Sequence, residues 1–160
     1  MPVVLGVFDD QNSAKQAISE MKDRGIAEND ISLVARQEEE SDMEAGQMGA
    51  EGQDLSDGAA TGGALGGLAG LLAGAGMLTI PGVGPILAAG PISAGLSGVA
   101  AGGIAGGLAD YGVDQQTGEK YADAVEQGRI LVAAEDTEET KIDEVADILR
   151  NQGAEDVETH

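Results

Sequence analysis

Val3–Phe8 is an unbroken apolar run, the pattern of a strand covered on both faces or central in a sheet. Asp10 or Asn12 can then cap a helix in which Ala14, Ala17, Ile18 and Met21 recur at i, i+3, i+4 and i+7, with Gly25 as the residue just past its end. Ile31–Arg36 alternates, with Ile31, Leu33 and Ala35 inward and Ser32 and Arg36 outward, which predicts a one-sided strand.

The same plan recurs near the other end. Arg129 leads into apolar residues 130–134, and Asp136 or Thr137 can cap a helix on which Ile142, Val145, Ala146 and Leu149 keep the helical period. Gly153 ends that helix, and the short polar strand Glu155–Thr159 follows. The stretches GIAENDISLV and GAEDVETH are weak echoes of each other. Two β-α-β halves with an antiparallel centre predict an α+β fold, the ferredoxin-like β-α-β-β-α-β sandwich, with both helices on one face because crossovers are right-handed. The two apolar strands are expected in the centre and the alternating and acidic strands at protected edges.

Between the halves the composition changes. From Asp57 to Asp110 no intervening residue carries an ionisable side chain, although 23% of the whole chain is charged. Glycine, alanine and aliphatic residues fill this block. The organisation that follows is a first β-α-β half at 1–36, an acidic linker at 37–57, a glycine-zipper helical hairpin at 58–110, a docking helix within 111–128 and the second half at 129–160. Asp114 can cap the docking helix, which carries Tyr121, Ala122 and Val125 and ends near Gly128.

Inside the block, Gly62, Gly66, Gly70 and Gly74 stand four apart, as do Gly98, Gly102 and Gly106, with Gly95, Gly103 and Gly107 beside the second row. Four residues on a helix turn through about 400°, so each row drifts slowly and forms one groove. Helices at 58–78 and 91–109 are expected, joined by an apolar tip built on Pro81, Gly82, Gly84 and Pro85. Each glycine costs roughly 0.8–1 kcal/mol relative to alanine in a helix interior. Such helices persist only where another backbone enters the groove. Copies of the same chain would supply that company, so homo-oligomerisation through the seven row glycines is the leading expectation, beside pairing of the two helices with each other against their own domain, which is too small to cover all their apolar faces. A bilayer is the alternative partner, since helices of 58–78 and 91–109 would be about 31 and 28 Å long. Against it, the nearest bases, Arg36 and Lys120, lie far from the helix ends.

Charge narrows the function further. Twenty-nine Asp and Glu against eight Lys and Arg give a net charge of −21, which repels phosphate backbones and leaves no nucleic acid among the expected partners. There is no cysteine, so neither a disulfide framework nor a thiol nucleophile is available. The opening MPVVLGVFDD has no basic region and meets acids too early for a secretory signal, which points to a cytoplasmic setting with membrane association as the variant.

Taken together, VVLGVFDDQNSAKQAISEMKDRGI, DISLVAR, GAATGGALGGLAGLLAGAG, IPGVGPILAAGP, LADYGVD and ILVAAED resemble the bacterial general-stress and low-temperature-induced proteins, the YflT-like family, over nearly the whole chain. IPGVGP between two glycine-rich runs is the most specific element, and a related group sharing a DYGVD junction is usually taken as membrane-inserted. The resemblance implies induction under stress, an α+β domain and no established catalytic activity. It carries no catalytic residues over.

The residues themselves offer little chemistry. His160 is the only histidine and is expected to be disordered at the terminus, so no Ser-His-Asp arrangement can form within one chain. No phosphate-cradling glycine motif occurs. Asp9 and Asp10 are expected to cap the first helix. The acids Glu38, Glu39, Glu40, Asp42 and Glu44 lack the ligand spacing of a calcium loop. Tyr111 and Tyr121 are expected to pin the docking helix. The expectation is therefore a non-enzymatic, stress-associated, self-assembling protein with no catalytic residue, metal or cofactor. Its alternatives are a membrane-inserted hairpin that anchors a cytosolic domain, and a small-ligand-binding ferredoxin-like module.

Overall fold

The computed structural model describes residues 2–36, 76–80, 84–97, 103–136 and 138–160. The elements run β1 (Val3–Phe8), α1 (Gln11–Asp23), β2 (Ile31–Arg36), β3 (Gly76–Ile80), β4 (Gly84–Ala89), α2 (Pro91–Ser97), α3 (Gly103–Ala109), α4 (Gln115–Glu126), β5 (Ile130–Glu135), α5 (Glu139–Asn151) and β6 (Glu155–Thr159). The class is mixed α+β, as expected. Among the described residues the strands form one six-stranded sheet in the order β3-β4-β2-β5-β1-β6, and every neighbouring pair is antiparallel.

Local chemistry sets most boundaries. Asp10 caps α1 by accepting from the Ser13 amide at 2.9 Å, and Gly25 follows the helix at φ +87°. Asp114 caps α4 through the amides of Gln116 and Thr117, at 3.0 and 3.1 Å. Gly128 and Gly153 take φ +87° and +89° after α4 and α5. The last helix starts later than the sequence pattern suggests. Its N-cap position is Glu138, which makes no side-chain cap bond, and Asp136 accepts from the Glu138 amide instead.

Two hydrophobic layers flank the sheet. On one face, α1 and α5 bury Ile18, Met21, Ile142, Val145 and Leu149 against Val4, Phe8, Leu33 and Val132. On the other, α2, α3 and α4 bury Ile92, Leu96, Ile104, Leu108 and Val125 against Leu5, Val34, Ile86 and Leu131. The central strands β1 and β5 are therefore buried along their whole length.

Three expectations are corrected here. The glycine-rich block does not run as one helix to residue 78 and a second through 91–109, because Gly76–Ile80 and Gly84–Ala89 pair as a β-hairpin. The reversal therefore joins strands; Pro81 and Gly82 lie outside the described residues, while Gly84 and Pro85 begin β4. The physical reason is weak helix propensity in a glycine-rich stretch, overridden by pairing of β4 along β2, from Leu33 with Ala89 to Arg36 with Ile86. The second predicted helix is split into α2 and α3. Pro91 opens α2 after Gly90 at φ +84°, and Gly103 at φ +59° opens α3.

β2 is the second correction, being neither an edge nor one-sided. β4 pairs with its outer side, and α2 covers the face that Ser32 was expected to show to solvent, leaving Ser32 only 1% exposed. Its hydroxyl is satisfied by accepting from the Ile92 amide at 3.1 Å. The third is His160, which is held rather than disordered: its amide donates to the Val3 carbonyl and its carbonyl accepts from the Val3 amide, both at 2.9 Å. The linker 37–57 and the first glycine row lie outside the described residues. Among the described residues, no helix is long and apolar enough to cross a membrane.

Candidate functional site

Of the row glycines, Gly62, Gly66, Gly70, Gly74, Gly98 and Gly102 lie outside the described residues, and Gly106 sits half-buried in α3. Among the described residues, the close helix approaches fall on neighbours of that row. A Cβ at Gly107 would lie 3.2 Å from the Leu96 amide nitrogen, 3.3 Å from its Cα and 2.6 Å from its Cδ2. A Cβ at Gly95 would meet the Gly107 carbonyl at 3.2 Å, so α2 and α3 touch backbone to backbone. A Cβ at Gly118 of α4 would stand 3.1 and 3.2 Å from Cα and O of Ala105. Sequence reasoning noted Gly95 and Gly107 but missed Gly118. An isolated glycine inside an otherwise helical stretch was the available signal.

A cleft of about 370 Å³ runs along α4 beside β6, lined by Gln116, Glu119, Lys120, Asp123, Ala124, Gln127, Arg129 and Asp156. Tyr121, on the same helix, holds α4 against β6 beneath the surface. That side chain is fully buried, and its hydroxyl donates to the Asp156 carbonyl at 2.7 Å. Burial, with the charges of Glu158 and Asp156 behind it, pushes the Tyr121 hydroxyl well above its ordinary range, so it stays a neutral donor. Asp156 adopts φ +52°, a left-handed conformation that Asp tolerates better than most residues.

Both cations in the cleft are already committed. Lys120 Nζ lies 2.6 Å from Asp156 and 3.9 Å from Glu158, and the bond to Asp156 raises its pKa. Arg129 reaches Asp9 on one side and Glu155 on the other. Burial disfavours the Arg129 charge, but the hydrogen bonds to Glu155 and Asp9 outweigh that and hold its pKa up. The cleft therefore holds more carboxylates than cations and offers no uncommitted base to an anion. Asp9, expected at the helix cap, serves here instead, and only Asp10 caps.

Of the two tyrosines expected to pin the docking helix, Tyr121 does so and Tyr111 fastens other elements instead. Tyr121 ties α4 to β6, and the Tyr111 hydroxyl donates to the Pro91 carbonyl at 2.7 Å, fastening the end of α3 to the start of α2. His160 Nε2 lies 3.6 Å from Glu158 and is buried without a hydrogen-bond partner. Among the described residues, no group of three or more His, Cys, Asp or Glu is placed to hold a metal ion.

Residues 3–80 match the model of the heat induced stress protein YflT domain family. The match stops short of the near-complete coverage expected from the sequence: β5 and β6, which flank β1 in the sheet, lie beyond it. No curated protein and no solved structure matches the chain.

Proposed function

We propose, taking the match of residues 3–80 to the YflT domain family as the premise, that this chain is a non-catalytic, stress-associated protein of the cytoplasm that assembles with copies of itself through glycine-rich helices. The strands β6-β1-β5-β2, with α1 and α5 on one face, are read as a ferredoxin-like unit, extended at one side by the β3–β4 hairpin. That unit is the acidic exterior of the assembly.

The observation that carries the reading is the contact at Gly107. There, missing side chains let one helix backbone reach another, at distances a Cβ would disturb. The chain thus uses glycine for helix packing, and the row Gly62, Gly66, Gly70, Gly74 repeats the same small-residue spacing. A second copy presents the complementary groove.

Light scattering on the full chain in plain buffer tests this. The expected result is an oligomeric mass that Gly66→Leu and Gly102→Leu reduce to that of smaller species. An unchanged mass in both variants removes the glycine rows as the assembly surface. Recovery only with membranes, released by detergent, would favour the bilayer reading.

A further inference from the structure

The sheet ends in two very different edges. At one, β6 carries Glu155, Asp156 and Glu158, pairs with β1 through a register shift between Leu5 and Val7, and places Asp156 at φ +52°. Charge, a bulge and a kinked backbone are the devices by which edge strands are kept from pairing with other chains. At the other, β3 has the sequence GMLTI and pairs with β4 in unbroken register from Gly76 with Ala88 to Ile80 with Gly84. It has no charge, no proline and no bulge, and β4 behind it is uncharged too. Among the described residues, nothing pairs with the outer side of β3.

We propose that the β3 edge is a strand-pairing surface for a second copy of this chain, two β3 strands meeting antiparallel about a twofold axis so that the two sheets become one. The occupant follows from charge. Each copy carries −21, and two such molecules repel wherever acidic surfaces face each other. The hairpin belongs to the long uncharged block, so it is where two copies approach with least repulsion. A basic peptide would instead be drawn to the acidic faces, with no carboxylate on β3 to read. A twofold pairing also closes on itself, because among the described residues the other edge is the acidic, bulged β6, which does not propagate a chain of molecules. This contact uses backbone groups rather than helix grooves, and it stands whether or not the glycine rows assemble.

The test uses the full chain, with Gly66→Leu as the background that removes the glycine-row contact. Sedimentation equilibrium is expected to show a monomer–dimer equilibrium that tightens as NaCl screens the repulsion. Amide hydrogen exchange at residues 76–80 is expected to slow with rising protein concentration, while that at 155–159 does not change. Gly76→Glu copies the β6 device onto this edge. A Cβ there meets nothing within 4 Å, and the variant should weaken dimerisation about tenfold with an unchanged circular dichroism spectrum. Thr79→Glu is the second variant, with the same expected loss. Protection of 76–80 at every concentration would mean that the chain covers its own edge, and would overturn the proposal. A monomer at all concentrations, or a dimer that neither variant weakens, would overturn it equally.

Discussion

On one face of the sheet, α1 and α5 stand off on Ile18, Met21, Ile142, Val145 and Leu149, long side chains that fill the layer between helix and strand. Their outer sides carry Lys15, Glu20, Glu144 and Asp147. On the other face, α2 and α3 are drawn entirely from the uncharged block, and α2, α3 and α4 meet one another across Gly95, Gly107 and Gly118. The first layer is held by side chains that are present, the second partly by side chains that are absent. Removing atoms should therefore damage the first layer, and adding atoms should damage the second.

The largest effect is expected at Gly90, which turns the chain from β4 into α2. Its φ is +84°, and a Cβ would lie 2.2 Å from the Ile31 carbonyl oxygen and 2.7 Å from Ser32 Cα, all rigid backbone of β2. Left-handed strain and overpacking together put Gly90→Ala at roughly 3–5 kcal/mol of lost stability in urea unfolding. Gly25, on the α1 side, has φ +87° but nothing within 4 Å of its Cβ position, so Gly25→Ala isolates the conformational part and should cost only about 1 kcal/mol. Equal losses at the two positions would erase the steric contrast between the layers.

Next comes the exchange of large for small and small for large. Ile18 of α1 is fully buried, and Ile18→Ala should cost about 3 kcal/mol through lost burial and the cavity left behind. Gly107→Ala gains about 1 kcal/mol of helix propensity but forces a methyl against the Leu96 backbone, an overpacking cost of about 1–3 kcal/mol, for a net loss near 1 kcal/mol. A stabilised Gly107→Ala would show that the α2–α3 contact has slack and that the glycine is there for something other than packing.

These positions also mark how far the sequence could be read. The side-chain layer was legible, because Ala14, Ala17, Ile18 and Met21, and Ile142, Val145, Ala146 and Leu149, print a helical period, while Asp10, Gly25 and Gly153 punctuate it. The glycine layer was not. A row of glycines at four-residue spacing is consistent with a helix, yet glycine has little helical preference of its own, so partner strands decide. For 76–89 the partner was β2, and a segment read as a helix end and tip became two strands. Ser32 looked solvent-facing for the same reason: nothing local announces that α2 will cross it and donate the Ile92 amide. The ion-paired cleft was equally invisible, since Arg129 meets Asp9 only once β1 and β5 pair.

The smallest expected effect is electrostatic and sets a buried carboxylate against two exposed ones. Glu135 closes β5 at 8% exposure, and burial first, the Asp30 charge second, push its carboxyl above the ordinary glutamate range. Asp10 and Asp114 are held below the ordinary range, chiefly by hydrogen bonds from Ser13 and Thr117. The signs are opposite. A carboxyl whose folded pKa is raised costs stability above that pKa, and the cost is relieved as pH falls through it toward 4.5. The caps stabilise above the unfolded carboxylate value of 3.8 and lose that contribution as pH falls through their lower folded pKa values. Glu135→Gln should therefore raise the unfolding free energy at pH 7, with the advantage over the parent chain shrinking as pH approaches 4.5. Asp114→Ala should lower it at pH 7, with the deficit closing only below 3.8. Unfolding curves for Glu135→Gln that run parallel to those of the parent from pH 4 to 8 would mean that the Glu135 charge carries no net cost where β5 ends.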